Sequence, residues 1–67
     1  MPHFLIKKEQ INNDFIVLAN GDENFFHITR VLRAKTGEKI KFIDDDKIVY
    51  YCTMTEIEKK SLRAKII

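Results

Sequence analysis

The sequence predicts a mainly β domain with one helix (α+β), closing as a small, strongly bent β-barrel of about five strands. From Glu38 onward apolar and polar residues alternate with a period of two, the signature of strands with one buried face. A single stretch, residues 22–33, instead repeats with the helical period. Turn-forming residues, Asn12-Asn13, Gly37 and Asp44-Asp45-Asp46, break the chain at short intervals. Together these place one helix after the second strand of a small barrel.

Phe4 to Lys7 reads as a first strand, and Asp14 to Ala19 is a β-branched apolar run of strand length. Asn20 then offers a helix N-cap with Glu23 three positions later, and Asp22 and Glu23 occupy the first turn, where the helix dipole favours acids. The helix should run from about residue 22 to residue 33, with Gly37 close enough to end it or to shape the turn beyond. Ile40 and Phe42 alternate with Lys39 and Lys41 in the third strand. The three aspartates form a tight acidic turn, because short carboxylates bond to nearby backbone. In the long fourth strand Ile48, Tyr50, Cys52 and Met54 share one face and Val49, Tyr51, Thr53 and Thr55 the other, as expected of a strand crossing a barrel corner. Glu58 to Ser61 turns it back into Leu62 to Ile67, with Leu62, Ala64 and Ile66 inward.

Sixty-seven residues allow one domain, and a chain of this size buries only roughly 60% of the surface its unfolded form exposes. With 45% hydrophobic residues, five Phe and two Tyr, there is material for one small core. The chain stops at Ile67 in mid-strand without a polar tail, which predicts a fragment cut at a domain boundary; the alternative is a small protein whose last strand ends flush. One cysteine, Cys52, cannot make an internal disulfide and fits a reducing compartment. The N-terminus has only three consecutive apolar residues, too few for a signal-peptide core or a membrane span, so a cytoplasmic protein is expected.

Most enzyme classes require a constellation that is missing. The two glycines, Gly21 and Gly37, make no phosphate loop, and one Cys with two separated His residues does not suit zinc, so no metal is expected. Ser61 has no His or carboxylate at a recognisable spacing. The triple Asp lacks the Gly and distal Glu of a calcium loop. Binding remains. Net charge is only +2, so any anion site must come from local clusters: Lys7-Lys8, Arg30 to Lys35, and Lys59-Lys60 with Arg63 and Lys65.

The helix has two faces. At about 100° per residue, Phe25, Ile28, Val31 and Leu32 form a core stripe, while Phe26, His27, Arg30 and Arg33 fall opposite. Its last two turns carry Arg30, Arg33 and Lys35 with no acid before Glu38. Late positive charges also simply complement the helix dipole, by about 0.3 to 1 kcal/mol each. Either reading is open to the residues alone. A barrel with cations on a helix and on a hairpin can track a nucleic-acid backbone, and an exposed Phe26 or Tyr51 can stack an unpaired base.

Met1-Pro-His-Phe-Leu5, His27-Ile-Thr-Arg-Val-Leu-Arg33, the step Lys35-Thr-Gly37, the strand Lys39 to Ile43 running into Asp44, and Ile57-Glu-Lys-Lys60 occur in an order and spacing that resembles the N-terminal domain of the RsmE family. These are bacterial methyltransferases acting on N3 of a uridine in 16S ribosomal RNA of the small subunit. The likeness spans essentially the whole chain, and its most specific element is His27-x-x-x-Val31-Leu-Arg33 with Gly37 four residues on. Family members often carry a second His where Phe26 stands, Arg in place of His3, and an Asp-Gly turn where this chain has Asp44-Asp45.

The resemblance implies a PUA-like β-barrel over residues 1–67 that helps to hold RNA. It further implies a C-terminal knotted domain, absent from this chain, that binds S-adenosylmethionine, carries the chemistry and forms a homodimer. The fragment alone is then expected to bind no cofactor and to be inactive. Carried over by position, His27, Arg30 and Arg33 are the leading RNA contacts, with Phe26 and Lys35 beside them and Lys7, Lys8, Lys59 and Lys60 steering. The competing expectation is a structural or protein-interaction module in which Arg33 braces the fold against a carboxylate.

Overall fold

A computed structural model describes residues 3–67. The strands are β1 (His3–Leu5), β2 (Ile11–Asn12), β3 (Phe15–Ala19), β4 (Lys39–Ile43), β5 (Val49–Ile57) and β6 (Ser61–Ile66). A short 3-10 turn, Lys8–Gln10, precedes β2, and the helix α1 (Glu23–Phe26) continues without a break into a π-helical segment, His27–Val31. The strands form one curled sheet in the order β1-β4-β5-β6-β3-β2, a small PUA-like half-barrel. Among the described residues only β1 and β4 run parallel.

The extra strand beyond the expected five is β2. It pairs Ile11 with Ile16 and Asn12 with Phe15 across a tight turn at Asn13-Asp14. Asn13 sits at φ 57°, a conformation Asn tolerates because its short amide can bond locally. Two residues are too few to show a period, so only the turn was legible.

The inward residues of each long strand meet in one core. Ile16 and Leu18 of β3, Ile40 and Phe42 of β4, Cys52 and Met54 of β5, and Leu62 and Ala64 of β6 are buried, joined by Ile6, Phe25 and Ile28. Each large side chain contributes about 1.5–3 kcal/mol by leaving water. The alternation predicted for β4, β5 and β6 holds, with one exception. Ile48 is exposed and precedes β5, because its N–H is committed to the Asp44 carboxylate at 3.0 Å. A register shift between Met54 and Glu56 bends β5 against β6, as a corner-crossing strand requires.

Two expectations about the helix need correction. Its N-cap is Asp22, not Asn20: the Asp22 carboxylate accepts from the Asn24 N–H at 2.8 Å. Second, Val31 and Leu32 do not belong to the core; they are 58% and 42% exposed. The Leu32 N–H donates to the His27 carbonyl five residues back (2.9 Å), and the Ala34 N–H to Ile28 six back (3.1 Å). These wider turns rotate the following side chains off the 3.6-residue stripe after Ile28. Of the two roles open to Gly37 it takes the second: the left-handed residue directly after the helix is Arg33, at φ 52°, and Gly37, at φ 91°, shapes the turn beyond and donates its N–H to the Met54 carbonyl at 2.7 Å.

The acidic turn is more than a solvated loop. Asp44 is buried, with one carboxylate oxygen accepting from the Asp46 and Ile48 N–H groups and the other from the Tyr50 hydroxyl at 2.8 Å. Those bonds satisfy the charge, so the turn closes β4 onto β5 around a carboxylate hub.

Candidate nucleic-acid interface

The helix is held over the sheet by its first two turns. Phe25 and Ile28 enter the core, the Asn24 amide donates to the Leu5 carbonyl at 2.6 Å, and Gln10 donates to the Asp22 carboxylate at 2.7 Å. Beside it stands the β5–β6 hairpin, closed by a bond from the Glu58 N–H to the Ser61 carbonyl at 2.8 Å. The Asn20 N–H donates to the Lys60 carbonyl at 2.7 Å, tying the hairpin to the loop that enters the helix. An open groove results between them. Phe26, His27, Arg30 and Val31 line one wall, and Ile57, Glu58 and Lys59 the other.

Arg30 and Lys59, far apart in sequence, thus line the same groove with Phe26 and His27. The exposed His27 ring packs edge-on against Phe4, with centroids 5.3 Å apart and planes at 63°. Phe4 in turn leans on the buried Phe42. At the α-to-π junction the Thr29 hydroxyl donates to the Phe25 carbonyl one turn back at 2.8 Å. The groove is not uniformly cationic, because Asp22, Glu23 and Glu58 also border it.

The other candidates lie elsewhere. Lys7 lines a second depression shared with Asp22, Glu23, Asp44 and Asp45, and Lys8 pairs with Asp46. Their charge is therefore largely offset. Arg33 and Lys35 are exposed beyond the helix end, outside the groove. Arg33 has no carboxylate within ion-pair distance among the described residues. Lys60 is exposed beside Lys59, with its carbonyl used by Asn20. Arg63 is engaged, lying 5.2 Å from the Phe15 ring centre and 3.9 Å from Glu56.

Sequence reasoning missed Phe4 as the support for His27, Ile57 as part of the groove, and the Asn20–Lys60 bond that sets its width. Each depends on a pairing between distant segments that local periodicity does not encode. Nucleophilic chemistry finds no purchase at Cys52: the thiol is buried, and burial pushes its pKa up to about 11. Among the described residues no group of three or more His, Cys, Asp or Glu could hold a metal ion. No helix among them is long and apolar enough to cross a membrane.

A family model described as the RNA methyltransferase PUA domain matches residues 20–67, the segment that contains both walls of the groove. The chain belongs to this family. It is similar over 94% of its length to a predicted RNA methyltransferase from Thermotoga maritima, with 30% identity and a TM-score of 0.72. Over 98% of its length it is similar to a ribosomal RNA small subunit methyltransferase E from Neisseria gonorrhoeae bound to S-adenosyl methionine, with 25% identity and a TM-score of 0.71. The fold also matches a hypothetical protein of known structure over 97% of this chain, at 22% identity and a TM-score of 0.82. A search of curated proteins returns no match. The chain covers 28%, 27% and 27% of those three solved chains, about a quarter of each. The likeness to the N-terminal domain of the RsmE methyltransferases thus holds in sequence family and in fold.

Proposed function

We propose that this domain is the RNA-recognition module of an S-adenosylmethionine-dependent methyltransferase that modifies N3 of a uridine in 16S ribosomal RNA. In this reading residues 1–67 position the RNA in the cytoplasm, and a knotted C-terminal domain of the parent enzyme binds the cofactor, transfers the methyl group and forms the homodimer. The domain by itself is inactive. The observation that carries the reading is the convergence of Arg30 and Lys59, with His27 and Phe26, on one groove in a chain of the RNA methyltransferase PUA family.

Arg30 and Lys59 neutralise phosphate, and His27, packed against Phe4, offers a ring nitrogen to the backbone or a base edge. Arg33, Lys35 and Lys60 extend the cationic margin from exposed positions. Lys7 and Lys8 contribute only to long-range steering, since acids surround them. Because charge supplies most of such affinity, binding should be weak and fall steeply with salt. Titrating small-subunit ribosomal RNA fragments at two salt concentrations tests this; unchanged binding by an Arg30→Ala, Lys59→Ala double variant would mean that the groove is not the RNA face.

One observation favours a packing role alongside. On the outer face of the sheet Leu5, Ile43 and Val49 lie in register across β1, β4 and β5, with Tyr51 one pair further along. Leu5, Val49 and Tyr51 are exposed, which suits contact with another domain.

A further inference from the structure

We propose that the groove holds a single unpaired nucleotide, with its base stacked on Phe26 and its phosphate beside Arg30 and Lys59. This rests on the RNA-binding reading and adds the form of RNA that the site selects.

Phe26 is 58% exposed on the groove wall, and Val31 and Ile57 continue the apolar surface around it. Val31 is there because the π-helical turn carries it out of the core stripe and into the groove. The widened helix therefore creates an apolar shelf next to the cations, in a place where a regular α-helix would bury it. A base offers such a shelf its π-face only when it is unstacked from its neighbours; an A-form duplex keeps its bases inside and presents backbone and a shallow minor groove.

Charge limits what enters. A phosphate track running the length of the groove would meet Asp22, Glu23 and Glu58, so phosphate is favoured only next to Arg30 on one wall and Lys59 on the other, and the base takes the apolar surface. The groove volume, about 990 Å³, lies at the upper end of the range for small-ligand sites. One nucleotide fits with space to spare, so the acids and not the volume set the limit.

The test compares a single-stranded oligoribonucleotide carrying 2-aminopurine with a duplex of the same sequence, using the 67-residue chain and its Phe26→Ala, Phe26→Leu, Phe26→Tyr and Arg30→Ala variants. The single strand should bind more tightly, and its fluorescence should rise as the base leaves its neighbours for the Phe26 ring. Phe26→Ala and Phe26→Leu should each weaken it about tenfold, while Phe26→Tyr retains it, since only the ring stacks. Salt dependence should be unchanged in the Phe26 variants but reduced by about 0.7 in log–log slope in Arg30→Ala. Because Phe26 is exposed, melting curves of its variants should match the parent. Equal binding of duplex and single strand, or full affinity in Phe26→Ala and Phe26→Leu while Arg30→Ala is weakened, overturns the stacked nucleotide and leaves RNA binding standing. If Arg30→Ala also binds unchanged, the RNA-binding reading of the groove fails with it.

Discussion

The imidazole of His27 meets the ring of Phe4 edge-on at 5.3 Å, which links the first strand of the sheet to the helix wall of the groove. Phe4 is half-buried and leans on Phe42, so a core residue supports the ring on the groove wall. Phe4→Ala should cost about 1–3 kcal/mol in urea unfolding, near the lower end of aromatic truncations because the site is not fully buried. It should also weaken RNA binding severalfold, although Phe4 does not line the groove. Unchanged affinity in a folded Phe4→Ala variant would show that the orientation of His27 is irrelevant.

Arg33 takes a left-handed conformation, at φ 52°, that costs an L-residue about 1–2 kcal/mol and glycine almost nothing. Glycine also loses more freedom on folding, so Arg33→Gly should gain about 0.5–1 kcal/mol net. A brace to the fold predicts the opposite sign. The exposed side chain without a carboxylate partner among the described residues favours the gain. Chemical denaturation of the single variant decides.

Asp44 gathers two backbone N–H groups and the Tyr50 hydroxyl. Asp44→Ala strands those donors and should cost on the order of 3 kcal/mol, far more than removing an exposed acid. Breaking the surface pair with Lys8→Ala should cost less than about 1 kcal/mol. Thermal melts of the two variants should separate clearly.

Alkaline pH should destabilise the domain through two groups. Burial raises the Cys52 thiol from 9.0 to about 11, and the hydrogen bond to Asp44, followed by burial and the nearby Asp44 and Asp45 charges, raises Tyr50 above 10.0. For a folded-state pKa raised above the unfolded one, stability is fully present below the unfolded value and is lost as pH rises through the folded one. The Cys52 share should therefore disappear between about pH 9 and 11, and the Tyr50 share should begin to go above pH 10. Melting temperature against pH should fall in that window, less steeply in Cys52→Ala. A flat profile from pH 8 to 11 would contradict both assignments.

The strands were legible because burial on one face writes a period of two into β4, β5 and β6. Phe25 and Ile28 were equally plain. Val31 and Leu32 were misplaced because a π-helical turn leaves no composition signal; the residues still look like a helical stripe until the wider turn carries them out. Asn20 had the chemistry of a cap, but its N–H belongs to Lys60 and Asp22 does the capping. At the site, the cationic character of Arg30 and Lys59 was visible in the chain. Their meeting was not, since it depends on pairing Ala19 with Ser61 across β3 and β6.

That meeting is the central claim, and affinity for single-stranded ribosomal RNA fragments against salt measures it most directly. Replacing both Arg30 and Lys59 by alanine should lower affinity at low salt and reduce the log–log salt slope by about 1.4, two phosphate contacts' worth, with the melting temperature unchanged. An identical affinity and slope in the folded double variant would contradict the account.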